Sequence, residues 1–153
     1  MAKPMLISPI SRQGIKLLQV AAYCRVSSSS ADQLNSYATQ IDYYTRLAKK
    51  KKNEWNMVEI FADEGISGTS LKKRDEFNRM IADCRAGKID MIITKSVSRF
   101  ARNVEDFIGT VRNLAELKPR VGVFFESEAI FSLNDDSQMA LTFQATMAEE
   151  ESH

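Results

Sequence analysis

The stretch LLQVAAYCRV (Leu17–Val26), followed at once by the serine run Ser27–Ser30, decides the fold class. It is nearly all apolar, and its apolar residues are continuous rather than alternating. A strand with one wet face alternates; a strand covered on both faces does not. Three shorter runs share this character: Met57–Ala62, Ile89–Thr94 and Val121–Phe125. Helical patterns stand between and after them. Leu34, Tyr37, Ile41, Tyr44 and Ala48 form one stripe. Phe77, Met80, Ile81 and Cys84 form a second, closed by Gly87 as a C′ residue. Val104, Phe107, Ile108, Val111, Leu114 and Leu117 form the best stripe, stopped by Pro119. The order is strand then helix, four times over. It predicts an α/β domain with a mostly parallel open sheet of four to five strands and helices on both faces.

Outside this frame lie two ends. Residues 1–16 carry Pro4 and Pro9 and no periodicity, and read as a loose N-terminal arm. Residues 17–136 hold the α/β domain. From 137 to 153 a last helix carries Met139, Ala140, Phe143, Met147 and Ala148, with Asp135, Asp136 and Ser137 as candidate N-caps. Its apolar positions spread around much of the circumference, so it needs a second partner. It reads as the start of a long oligomerisation helix, and the chain as a fragment of something longer.

Composition narrows the function. The chain has 153 residues, 44% hydrophobic and 27% charged, with only 6 Gly and 3 Pro, which excludes disordered and collagen-like classes. Lys and Arg number 21 against 20 Asp and Glu, for a net charge of +1, so any phosphate site must come from local clustering. Cys24 and Cys84 stand far apart and the single His is His153, so no Cys/His zinc set can be built. No apolar run has the length of a membrane helix or a signal peptide, which predicts a cytoplasmic protein without membrane contact.

Open parallel sheets bind ligands at the carboxyl ends of their strands. After the first strand come Arg25 and Ser27–Ser30; after the second Asp63, Glu64, Ser67, Gly68, Thr69 and Ser70. After the third come Lys95, Ser96, Ser98, Arg99 and Arg102, and after the fourth Glu126 and Glu128. Arg25 and Ser27, at i and i+2, project to one side of an extended chain. Arg99 and Arg102, at i and i+3, share a helical face. If the first and third strands are neighbours, three guanidiniums surround a serine, and Arg74 in the Lys72–Arg74 patch can add a fourth. Guanidiniums hold phosphate oxygens in two-point contacts, and a serine among them reads as a nucleophile for a phosphoryl centre. The plainer reading is a solvated serine loop beside helix-start arginines. Spacing alone does not choose Ser27 over Ser28. No dinucleotide or P-loop fingerprint is present, and with one terminal His a Ser-His-Asp triad is ruled out.

These residues, together with several others, resemble the serine recombinases, the resolvase/invertase family. The matching motifs are Tyr23-Cys24-Arg25-Val26-Ser27 with Gln33, Ser36 and Gln40; Asp63-Glu64-Gly65-Ile66-Ser67-Gly68-Thr69 with Arg74 and Phe77; and Lys95-Ser96-Val97-Ser98-Arg99-Phe100-Ala101-Arg102-Asn103. They cover about residues 18–150 and look most like the large serine recombinases of phage and mobile elements. The resemblance implies that Ser27 attacks a DNA phosphodiester, forms a 5′-phosphoserine link and releases a 3′-hydroxyl. Arg25, Arg99 and Arg102 would hold the scissile phosphate, Arg74 and Gln40 would complete the pocket, and Ser67 would sit beside it. The implied partners are DNA and other copies of the chain, as dimers and active tetramers. No metal, ATP or other cofactor is implied.

Two departures stand out. Many family members carry Asp-Arg where this chain has Ser98-Arg99, which leaves Asp63 as the nearest carboxylate candidate for moving the Ser27 proton. The DNA-binding region beyond the last helix is absent, so the isolated domain is expected to bind DNA weakly at ~150 mM salt. The alternative reading is a non-catalytic recombinase-like assembly or regulatory module. A receiver-like signalling domain fits poorly, because Thr94-Lys95 occupies the place of its acceptor Asp.

Overall fold

The computed structural model describes residues 17–26, 36–64, 74–101 and 103–134. The N-terminal arm, the serine run with Ser27, the loop with Ser67, Arg102 and the last helix of the sequence reading lie outside the described residues. Within them, β1 (Leu18–Val26), β2 (Trp55–Glu64), β3 (Met91–Thr94), β4 (Gly122–Phe125) and β5 (Ile130–Phe131) alternate with α1 (Tyr37–Lys50), α2 (Asp75–Arg85), the single turn α3 (Val97–Phe100) and α4 (Val104–Ala115). The sheet order is β2-β1-β3-β4-β5. β1 pairs in parallel with both β2 and β3, and β3 with β4, while β5 returns antiparallel on β4. The parallel sheet with helices on both faces is thus as the apolar runs predict. β5 escaped the periodicity because two residues are too few to show a period.

Side chains of β1 divide between two cores, as a strand buried on both faces must. Ala21 and Tyr23 join Phe77, Met80 and Cys84 of α2 and Phe107, Val111 and Leu114 of α4. Val20, Ala22 and Cys24 join Tyr44 of α1 on the opposite face. The first core holds a run of edge-on rings from Tyr23 through Phe77 and Phe100 to Phe125, with centroids 5.1, 5.2 and 5.5 Å apart. Tyr37, placed on the buried stripe by spacing, is 59% exposed, so the true α1 face is set by Tyr44 and Leu47.

Caps and stops follow local chemistry. Ser36 accepts from the Thr39 N–H at the start of α1, and Asn103 from the Asp106 N–H at the start of α4. Lys49 and Lys50 lie in the last turn of α1, where cations suit the helix dipole, and Lys51 caps it with Nζ 5.6 Å over the Trp55 ring. α2 ends in a Schellman motif. Gly87 takes φ +82°, its N–H reaches the Cys84 carbonyl at 3.1 Å, and the Lys88 N–H reaches Asp83 at 3.0 Å. β2 contains a bulge: Val20 pairs with Met57 but Ala21 pairs with Glu59, leaving Val58 unmatched and 38% exposed. Arg79 of α2 bridges Glu59 and Glu76 and lies 4.6 Å over the Phe61 ring, fastening α2 to β2. That contact holds the Glu59 carboxyl below the usual range. Among the described residues no helix is long and apolar enough to cross a membrane.

The β4–β5 hairpin closes on a glycine. A Cβ at Gly122 would lie 2.5 Å from the Phe131 ring and 2.9 Å from Leu133 Cγ. Gly122→Ala is therefore expected to cost about 1–3 kcal/mol of stability, read from the midpoint of urea unfolding.

Candidate active site

The carboxyl edge of the sheet is assembled from the ends of β1, β2 and β3. Thr94, at the end of β3, donates its hydroxyl to the Tyr23 carbonyl at 3.0 Å. Beyond Thr94 the chain turns into α3 through Ser96, and α3 brings Arg99 back over β1. There Arg99 Nη1 donates to the Arg25 carbonyl at 3.1 Å. The neighbourhood of first and third strands that the arginine reading required is present, and it brings Arg25 and Arg99 together. Both are half-buried at the rim. Ser98 points inward, 8% exposed, with its Oγ 3.1 Å from Ser96 Oγ.

Asp63 ties three elements together. It stands opposite Arg25 in the β1–β2 register. Its carboxylate accepts from the Tyr23 hydroxyl at 2.8 Å and from the backbone N–H groups of Glu76 and Phe77 at 2.9 and 3.0 Å. The residue at the N-cap of α2, Arg74, offers no side-chain acceptor. Asp63 therefore caps α2 from the end of β2.

Arg74 is 7% exposed and lies under the rim. Its guanidinium stacks 3.7 Å over the Phe77 ring, with the Tyr23 ring at 5.4 Å. Nη2 donates to the Phe100 carbonyl at 2.5 Å, and Nη1 is 3.8 Å from Asp106 Oδ2. Phe100 precedes Arg102 and Asp106 follows it, so Arg74 grips both sides of the link that carries Arg102. Its Nε is, among the described residues, the one buried side-chain N or O without a hydrogen-bond partner. Gln40 occupies the first turn of α1 and is half-buried.

Sequence reasoning named Glu126 only as a residue beyond the fourth strand, and did not single out Tyr43. Glu126 accepts from the Tyr43 hydroxyl at 2.5 Å and the Tyr44 hydroxyl at 2.7 Å. The signal was available: Gln40, Tyr43 and Tyr44 stand at i, i+3 and i+4 and share one helical face.

The family model for the resolvase N-terminal domain matches residues 20–153. The chain belongs to the resolvase family. Solved structures agree with this. A resolvase family site-specific recombinase from Streptococcus pneumoniae is 28% identical, with a TM-score of 0.62, over 88% of this chain and 89% of that one. The N-terminal catalytic domain of TP901-1 integrase is 26% identical, with a TM-score of 0.64, over 87% of this chain and 96% of that one. The C-terminal catalytic domain of the IS607-like serine recombinase ISC1926 TnpA, 21% identical with a TM-score of 0.56 over 71% of this chain and 69% of that one, shares the fold. No curated protein sequence matches the chain.

Three buried groups hold their protons tightly. Burial pushes the Tyr23 hydroxyl up to about 12, with Arg74 opposing and Asp63 adding. Burial likewise pushes the Cys24 and Cys84 thiols up to about 12, with Glu126 adding at Cys24. The folded state holds these protons more tightly than the unfolded chain, whose groups titrate near 9.0 and 10.0. The stability they bring is whole below that range and is lost as pH rises toward about 12. Guanidinium-unfolding midpoints should hold level from neutral pH up to the ordinary thiol range, then fall, with a shallower fall in Tyr23→Phe. Asp63→Ala should cost about 2 kcal/mol in the same assay, since it strips the cap of α2 and the Tyr23 acceptor together.

Proposed function

We propose that this chain is the catalytic domain of a serine site-specific recombinase. Ser27 Oγ attacks the phosphorus of a DNA phosphodiester, and the bond from phosphorus to the 3′ oxygen breaks. The serine proton leaves as the phosphoserine bond forms, and the departing 3′ oxygen takes up a proton to become a hydroxyl. The 5′-phosphoserine link conserves the phosphodiester energy, so a 3′-hydroxyl from another strand reverses the step and rejoins the DNA. Arg25, Arg99 and Arg102 clamp the phosphate and offset the charge that grows on its oxygens in the transition state. Four copies of the chain act together, cutting two duplexes, exchanging ends and religating.

The single observation that carries this reading is the Arg99–Arg25 contact at the sheet's carboxyl edge. It sets the Arg99 guanidinium against the backbone of Arg25, two residues before Ser27 in sequence, in a chain of the resolvase family. Arg74 supports the rim from below: its two Nη groups face Phe100 and Asp106, on either side of Arg102. Ser98 cannot serve as a carboxylate, and the Asp63 oxygens are already engaged by Tyr23 and the start of α2.

The test fuses the whole chain to a zinc-finger module and supplies a duplex with two finger sites flanking a nicked spacer. A nick lets the cut strand drift away and traps the covalent intermediate. A protein–DNA adduct on a denaturing gel, mapped by mass spectrometry to Ser27 and missing in Ser27→Ala, is the expected result. Fusions that assemble as tetramers on the duplex and yield no adduct would overturn the reading in favour of a non-catalytic assembly module. Arg102→Lys should lower the adduct rate at least about ten-fold, because a point charge cannot replace a two-point fork.

A further inference from the structure

The turn between β4 and β5 carries two carboxylates that the phosphate clamp does not use. It is anchored to the end of β3, where the Glu126 N–H donates to the Thr94 carbonyl at 3.0 Å and the Ser127 N–H to the Lys95 carbonyl at 2.8 Å. Glu126 reaches one way, to the hydroxyls of Tyr43 and Tyr44 on α1. Glu128 reaches the other way, accepting from the backbone N–H of Val97, the first residue of α3, at 3.3 Å. Ala129 closes the turn at φ 56°, in the left-handed region that favours glycine. Its N–H returns to the Glu126 carbonyl at 3.2 Å.

What the two arms hold matters. α1 carries Gln40 on the face shared with Tyr43 and Tyr44. α3 carries Ser98 and Arg99. The two elements approach the site from opposite faces of the sheet, and each is tied to this one turn.

We propose that Glu126 and Glu128 are positioning residues for DNA cleavage: one turn sets α1 and its Gln40 against α3 and its phosphate-holding Arg99. This rests on the recombinase reading above. Neither carboxylate touches the phosphate. Their work is register between α1 and the clamp on α3, where a displacement of an ångström costs far more rate than affinity.

The test uses the same whole-chain fusion and nicked duplex, at saturating DNA, and reads the first-order rate of adduct formation, its amplitude, the DNA affinity and the melting temperature. Tyr43 is 45% exposed, so Tyr43→Phe removes one hydroxyl without disturbing the core. Glu126→Ala, Glu128→Ala and Tyr43→Phe should each slow the adduct rate, the alanine variants by about ten-fold, with DNA affinity unchanged. Glu128→Gln should recover most of the rate, because its amide oxygen still accepts from Val97. Glu126→Gln should fall between, keeping an acceptor for one tyrosine. A merely structural role would lower amplitude and melting temperature while the rate constant of the remaining active molecules stayed at the wild-type value, and that pattern would overturn the inference. Wild-type rates throughout would overturn it as well. Absence of adduct from the wild-type tetramer would instead bring down the recombinase reading, and this inference with it.

Discussion

The carboxylate of Asp63 is the tie on which the site depends. One side chain at the end of β2 satisfies two backbone donors of α2 and the hydroxyl of Tyr23 on β1. A helix start left uncapped in a buried setting forfeits hydrogen bonds worth about 1–3 kcal/mol each. Here the local sequence offers no cap, because the N-cap is Arg74, whose side chain is committed elsewhere. The Asp63 bond freezes Tyr23 as well, and the Tyr23 ring begins the edge-to-face series through Phe77 to Phe100 and Phe125. Phe100 is the last residue of α3, directly after Arg99. A single buried anion thereby fixes the floor on which a cationic rim is built.

That floor also explains how a buried arginine is tolerated. Removing a guanidinium from water is costly unless its charge is answered. Arg74 is answered by an aromatic face at 3.7 Å, by the Phe100 carbonyl and at longer range by Asp106. Each contact lies on an element of the site, so the cation stabilises only one arrangement of α2, α3 and α4. A lysine has the charge but neither the flat face for Phe77 nor the fork that spans Phe100 and Asp106.

Much of the fold was legible because it rests on burial. The nearly all-apolar run of Leu17–Val26 announced a strand covered on both sides, and the stripe of Phe107, Val111 and Leu114 announced α4. β5 was not legible, since two residues paired by a hairpin carry no period. In the site, Arg25 and Arg99 were readable from their place at the end of β1 and beyond β3, because a parallel sheet delivers those ends to one edge. The capping role of Asp63 was not, because it acts on a helix beginning more than ten residues later through space that sequence does not display. Tyr43 could be placed on the Gln40 face by spacing, but its partner Glu126 could not, because the β4–β5 turn brings that carboxylate to it through space.

The two borders of the sheet have a consequence for crowding. On one side β2 is interrupted by the unmatched Val58, which twists its outer row of donors and acceptors out of line. On the other, β5 offers only Ile130 and Phe131 before Ser132 folds back, its hydroxyl and N–H both joined to Val123. Among the described residues, neither border presents a long flat ladder onto which a second sheet can add. Copies of this domain held side by side at high local concentration therefore have no ready route to strand-by-strand growth. Their contacts are left to helices and loops, which can part and re-form without unzipping a ladder of backbone hydrogen bonds.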